Sequence, residues 1–242
     1  MRFSELLQKT YPQAYNVKWK ASYAMRVEET QAEVFEIRDK AVTILQTDGE
    51  GVACFSNPNA ERVEVIDFEH FVNLFTQSVK AGQGKKCDFI LAPADHQDYI
   101  ILNELSHLRK ESLSQFREKN ESGGKQEKSF LQLEFTINRL CKSKEIADRI
   151  DSTTRKIALF SVRLKKGNGD SKDSTSRSLE TFLRPATEQE TFIMCNKLPH
   201  DFTYVRLFYP NPFRLTEAMQ WQNMNVPTFP RIIRVHSWTF VF

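Results

Sequence analysis

The chain has 242 residues, 40% of them hydrophobic, 27% charged and 12% aromatic, with 8 Gly and 9 Pro, a composition that excludes disorder, collagen and coiled coil as whole-chain descriptions. A chain of this length removes about 70% or more of its unfolded surface from water, so folding needs no disulfide staples. Its 34 Lys and Arg against 31 Asp and Glu leave a formal charge of +3, too near neutrality to mark a nucleic-acid binder by charge alone, though a local basic groove is compatible with it.

Cys54, Cys87, Cys141 and Cys195 form no C-x-x-C pair and have no His at ligand spacing, so they read as reduced core residues of a cytosolic protein. No apolar run of signal or membrane-spanning length occurs, and the expectation is a cytoplasmic protein without membrane insertion.

In chain order, Phe3, Leu6 and Leu7 predict a short amphipathic helix stopped at Tyr11-Pro12, followed by a strand-like Val17 and Trp19. Between Ala32 and Ser56 the apolar residues Val34, Phe35, Ile37, Val42, Ile44, Leu45, Val52 and Cys54 suggest two or three short strands, although residues 28–40 read equally well as helix. Phe68, Phe71, Val72, Phe75 and Val79 recur at helical spacing, with Asp67 as N-cap and Gly82 and Gly84 as stops, predicting a helix over 68–80. Residues 86–92 and 98–106 then read as two strands joined by the turn-rich 93–97, a hairpin. Leu105, Leu108, Leu113 and Phe116 suggest a short helix, and residues 119–128 a mobile loop. Phe130, Leu133, Ile137, Leu140 and Cys141 predict one helix over about 127–149, and residues 156–164 a further strand.

The polar residues 165–178 predict a flexible loop, and residues 179–242 a β-rich region with strands near 192–195, 204–209 and 232–242. The expected organisation is an N-terminal extension over 1–66, a core over 67–164, the loop, and a C-terminal β-rich extension over 179–242. The fold class is α/β (α+β), a mixed sheet with flanking helices.

Chemistry concentrates in the hairpin. By alternation Asp88 shares a face with Ile90, while Cys87, Phe89 and Leu91 point the other way; Glu104 shares a face with Leu102 and Ser106. If the two acid faces coincide, Asp88 and Glu104 converge at one end of the sheet, where two carboxylates plus water suit a hard cation such as Mg²⁺. That arrangement fits metal-assisted phosphodiester hydrolysis.

The runs Cys87 to Leu91 and Tyr99 to Ser106, with Gln132, Leu133 and Ile137 in the following helix, resemble the PD-(D/E)xK nuclease superfamily over residues 67–164. The resemblance implies a restriction-endonuclease-like core of helix, three strands, helix and strand. It implies Mg²⁺ or Mn²⁺ held by Asp88 and Glu104, and Gln132 at the helical position. Where the family carries a Lys two residues after the Glu, this chain has Ser106. Some members carry that Lys on the neighbouring helix, and Lys128, four residues before Gln132, is the candidate substitute. Glu69 corresponds to the acid that some members place on the first helix.

The resemblance implies a DNA substrate and a setting in restriction, repair or defence against foreign DNA. The rival expectation is a catalytically inactive protein of the same fold, serving as a nucleic-acid-binding or protein-assembly module, which Ser106 favours. His107 is the one histidine near the proposed site. Lys85, Lys86, Arg155, Lys156, Arg163, Lys165 and Lys166 either line a phosphate-binding surface or only flank strands. Tyr204, Phe208, Tyr209, Phe213 and Trp221 either stack on a partner or fill the core.

Overall fold

The computed structural model describes residues 1–18, 20, 24–38, 44–45, 49–75, 85–108, 125–164, 192–194 and 198–215. The chain opens with α1 (Phe3–Ala14), then β1 (Val27–Thr30), β2 (Val34–Ile37), β3 (Ile44–Leu45), β4 (Ala53–Ser56) and β5 (Val63–Asp67). α2 (Phe68–Asn73), β6 (Phe89–Pro93) and β7 (Tyr99–Leu108) follow, then helices α3 (Lys125–Leu140) and α4 (Lys144–Ser152). β8 (Arg155–Leu164), β9 (Phe192–Met194), a short 3₁₀ turn (Pro199–Asp201), β10 (Thr203–Phe208) and β11 (Pro212–Arg214) complete the described elements.

Among the described residues, seven strands form one mixed sheet in the order β1-β5-β6-β7-β8-β10-β9, and four form a second in the order β11-β4-β2-β3. β5, β6 and β7 are antiparallel neighbours, whereas β8 runs parallel to β7 and β10 parallel to β8. The α/β class with a mixed sheet and flanking helices is therefore the observed one.

Each face of the large sheet has its own core. On one face Ile66, Ile90, Leu102, Ala158, Phe160 and Tyr204 pack against the four described α-helices, through Phe3 and Leu7, Phe68 and Phe71, Leu133 and Ile137, and Ile146 and Ile150. On the other, Val65, Phe89, Leu91, Ile101, Leu159 and Val205 pack against Phe35, Phe55 and Phe213 of the second sheet. Two covered faces explain why β6 and β8 read as continuous apolar runs rather than alternating ones. Strands from residues 1–66, 67–164 and 179–242 all enter the large sheet.

α1 extends past Tyr11-Pro12 to Ala14 instead of stopping there; a proline loses one hydrogen bond in the last turn, and both residues are buried against the sheet. Two short strands, Val27–Thr30 and Val34–Ile37, stand where a helix fitted equally well. Leu105 and Leu108 belong to β7 rather than to a helix, because β7 pairs with β8 along its whole length, from Tyr99 opposite Arg155 to Leu108 opposite Leu164. Residues 125–128 open α3 instead of ending a loop.

The helix expected over 127–149 is two. Ser143 adopts an extended backbone and its Oγ accepts from the Ile146 N–H at 3.4 Å, which ends one helix and caps the next. Asp67 caps α2 as expected, its Oδ1 accepting from His70 N–H at 2.9 Å. The expected continuation of α2 to residue 80, the elements near 113–116 and 232–242, and the loop over 165–178 fall outside the described residues. No helix among the described residues is long and apolar enough to cross a membrane.

Candidate functional site

In the β6–β7 ladder Phe89 lies opposite Asn103, Ile90 opposite Leu102 and Leu91 opposite Ile101. One further step of that register sets Asp88 opposite Glu104. Leu102 belongs to the helix-side core, so the two-residue period directs Glu104, inside β7, to that same face, while Asp88 stands at the bend that precedes β6. Their shared row lies at the end where the ladder stops.

Asp88 is fixed by its backbone and its side chain together. Its carbonyl accepts from Phe68 N–H at 3.0 Å and Glu69 N–H at 3.1 Å, the first turn of α2. Its Oδ2 accepts from Leu105 N–H at 2.6 Å, which ties it to the strand that carries Glu104. Alternation is broken one residue earlier: Cys87, expected to face with Phe89 and Leu91, sits in the helix-side core. The chain bends at Asp88 before β6 begins, so strand parity does not reach Cys87.

Glu104 is only 8% exposed, and its buried carboxylate is held by α3. Gln132 Nε2 donates to Glu104 Oε1 at 2.7 Å and to the Lys86 carbonyl at 3.3 Å. Both partners are acceptors, so the amide nitrogen must face them. One turn on, Thr136 Oγ1 accepts from Cys87 N–H at 2.8 Å and donates to the Gln132 carbonyl at 2.8 Å. Two polar residues one turn apart thus pin an otherwise apolar helix face to the approach to Asp88. Thr136 carried no signal of its own beyond standing four residues after Gln132 in an apolar stripe.

Both acids act on the thiol of Cys87. Burial pushes the Cys87 thiol well above its ordinary range, and the charges of Glu104 and then Asp88 push it further. Burial likewise raises Tyr204 to about 12; the Ser129 hydrogen bond and the Arg206 charge oppose this, and the Glu104 charge adds to it.

The cation built into this corner is Lys86, whose Nζ donates to Asn73 Oδ1. Burial lowers its pKa; the charge of Glu69 opposes that and the charge of Arg139 reinforces it. Lys128 lies exposed in the first turn of α3, one turn before Gln132. Ser106 is half-buried, and Glu69 and His107 are exposed. Glu69 meets Asp88 through its backbone N–H.

Two cations read as candidate phosphate contacts bridge the sheets. Arg155 donates to the carbonyls of Arg214 and Leu215 and lies over the Phe213 ring, while Arg163 donates to the Gly51 carbonyl and lies over Tyr209. Of the aromatic group, Tyr204 and Phe213 are buried in the two cores, Phe208 and Tyr209 are half-buried, and Trp221 falls outside the described residues.

Two carboxylates are a hard donor set, suited to Mg²⁺ or Mn²⁺ with water completing the shell. The described residues contain no group of three or more His, Cys, Asp or Glu arranged to hold a metal. Comparison with family models, with curated proteins and with solved structures finds no match.

Proposed function

We propose that this protein is a divergent metal-dependent nuclease-like protein acting on DNA, of the kind used in restriction, repair or defence. The observation that carries the reading is the pair of acids at the end of the β6–β7 ladder: Asp88 Oδ2 accepts from Leu105 N–H, next to Glu104, and Gln132 is bonded to Glu104. The antiparallel β6 and β7, the helices after them and β8 parallel to β7 support the later part of the order that the resemblance implies, whereas α2 stands between β5 and β6 instead of ahead of three strands.

In this reading Asp88 and Glu104 hold Mg²⁺ or Mn²⁺, which supplies Lewis acidity toward a phosphodiester. Gln132 keeps the Glu104 carboxylate in one orientation, and the α2 and Leu105 N–H groups do the same for Asp88. Lys128 is the candidate cation on the exposed side.

A second reading, a catalytically inactive nuclease-fold protein that binds nucleic acid or a protein partner, is favoured by Ser106, a hydroxyl where the family has a cation. The two readings part at the metal. A site of about 1 mM affinity gains about 1.4 kcal/mol at roughly 10 mM ion, a few degrees in Tm. The nuclease reading expects that rise with Mg²⁺ or Mn²⁺, its loss in Glu104→Ala, and DNA cleavage that disappears in Asp88→Asn. A folded wild-type protein with neither rise nor cleavage leaves the binding reading.

A further inference from the structure

Lys125, Lys128, Gln132 and Phe135 follow one another along α3 at spacings of three, four and three residues, so they form one stripe on the helix surface. Gln132 of that stripe donates to Glu104 at 2.7 Å. Lys125 and Lys128 are exposed, and Phe135 is 53% exposed. At 1.5 Å per residue, Phe135 stands about 4.5 Å along the axis from Gln132 on one side, and Lys128 about 6 Å on the other.

The large hydrophobic side chains exposed among the described residues are Met1, Val34 and Phe135. Phe135 is the aromatic one, and it lies in a helix whose Leu133, Ile137 and Leu140 are fully buried. Leu131, one turn before it, is half-buried, so the two side chains make a short apolar strip beside the stripe. A lone exposed apolar side chain is ordinary; here its neighbours identify the partner. Lysine is depleted at protein–protein interfaces. A single strand of nucleic acid is held by just this pairing, a cation for the phosphate and an aromatic ring for the face of the base. In a duplex both base faces are covered, and an unpaired nucleotide uncovers them.

Resting on the nuclease-like reading of Asp88 and Glu104, we infer that Phe135 is a base-stacking residue that receives an unpaired nucleotide of the DNA, while Lys125 and Lys128 bind backbone phosphates on the other side of Gln132. The preferred substrate is then single-stranded DNA, or a duplex with an unpaired segment at the acid pair.

The test is binding of a fluorescein-labelled single-stranded oligonucleotide, and of the matching duplex, to the full-length protein in EDTA, read by anisotropy. Phe135→Ala is expected to weaken single-strand binding by about 5- to 150-fold, the loss of one base stack, and to leave duplex binding unchanged. Phe135→Trp should retain single-strand binding. Phe135→Leu should weaken it as alanine does, because leucine is apolar without a ring face. Replacing Lys125 and Lys128 together by glutamine should lower the slope of log K against log salt by about 1.4, two phosphate contacts on a single strand. Independently of any variant, a bromodeoxyuridine oligonucleotide irradiated on the wild-type protein should cross-link at Phe135, read by peptide mass spectrometry. Wild-type affinity in Phe135→Ala, leucine as effective as tryptophan, an unchanged salt slope, no cross-link at Phe135, or no single-strand binding by wild type overturns the inference.

The metal-induced rise in Tm separates this from the reading beneath it. Phe135-dependent binding without any metal response retains the stacking residue and removes the nuclease. A metal response lost in Glu104→Ala, with binding indifferent to Phe135, does the reverse.

Discussion

The Gln132 amide donates to Glu104 Oε1 at 2.7 Å and to the Lys86 carbonyl at 3.3 Å, so one side chain of α3 joins β7 to the segment that leads into Asp88. Replacing it by leucine removes this hydrogen bond from Glu104, a residue only 8% exposed. Loss of a hydrogen bond to a buried charged group costs about 1.5–3 kcal/mol. Gln132→Leu should lower the unfolding free energy measured in urea by that amount and weaken the Mg²⁺-induced rise in Tm. Gln132→Glu should be worse at pH 7, because two carboxylates then share the site. Protonating one of them relieves the repulsion, so its deficit should shrink as pH falls toward 4.

Thr136 supports the same corner from beneath. It is fully buried, accepts from Cys87 N–H and donates to the Gln132 carbonyl. Thr136→Val keeps the shape and orphans a buried N–H, which costs about 1–3 kcal/mol. Thr136→Ser should recover most of that loss, since the hydroxyl is retained. Equal stability of the Val and Ser variants in urea unfolding would show that the hydrogen bond contributes nothing.

Some of this arrangement was legible in the sequence and some was not. Alternation sets Glu104 with Leu102, and that parity holds because β7 is regular from Tyr99 to Leu108, whereas the parity expected of Asp88 with Ile90 meets the bend at Asp88 itself. Nothing local specified which face of one strand met which face of the other; the turn between Pro93 and Tyr99 sets that register. Parity failed at Cys87, where the bend at Asp88 interrupts the strand.

β5 was not foreseen at all, because Val63-Glu64-Val65-Ile66-Asp67 carries two acids in five residues. Glu64 is fully buried, yet it accepts from Ser4 Oγ at 2.7 Å and Ser4 N–H at 3.4 Å. A partner 60 residues away in the chain leaves no local trace. Leu105 and Leu108 fit either a helical or a strand period, and only β8, a strand of matching length, decides between them.

Gly51 is required by contact rather than by backbone twist. A β-carbon there would stand 2.5 Å from Glu36 Cβ and 2.7 Å from Glu36 Oε2. Glu36 cannot withdraw without breaking bonds to Gly51 N–H at 2.8 Å and Tyr209 OH at 3.0 Å. Gly51→Ala should therefore destabilise by about 1–3 kcal/mol, as other overpacking changes do. Adding Glu36→Ala should bring no rescue, because alanine keeps the β-carbon that clashes. Urea midpoints of the single and double variants check both statements.

The same buried carboxylate makes the fold sensitive to base. Burial and then the Glu36 charge raise the Cys54 thiol to about 11, against a small opposing effect of the Phe55 backbone, whereas an unfolded thiol titrates near 8.5. The folded protein therefore keeps this proton longer than the unfolded chain. The contribution is complete below about pH 8.5 and is lost as pH rises through the folded value, at about 1.4 kcal/mol per pH unit in between. Cys54→Ala removes the titration. Relative to that variant, the wild type should lose about 1–2 kcal/mol of unfolding free energy between pH 8 and pH 10. Parallel pH profiles of the two proteins would mean that the thiol is not shielded as its 6% exposure implies.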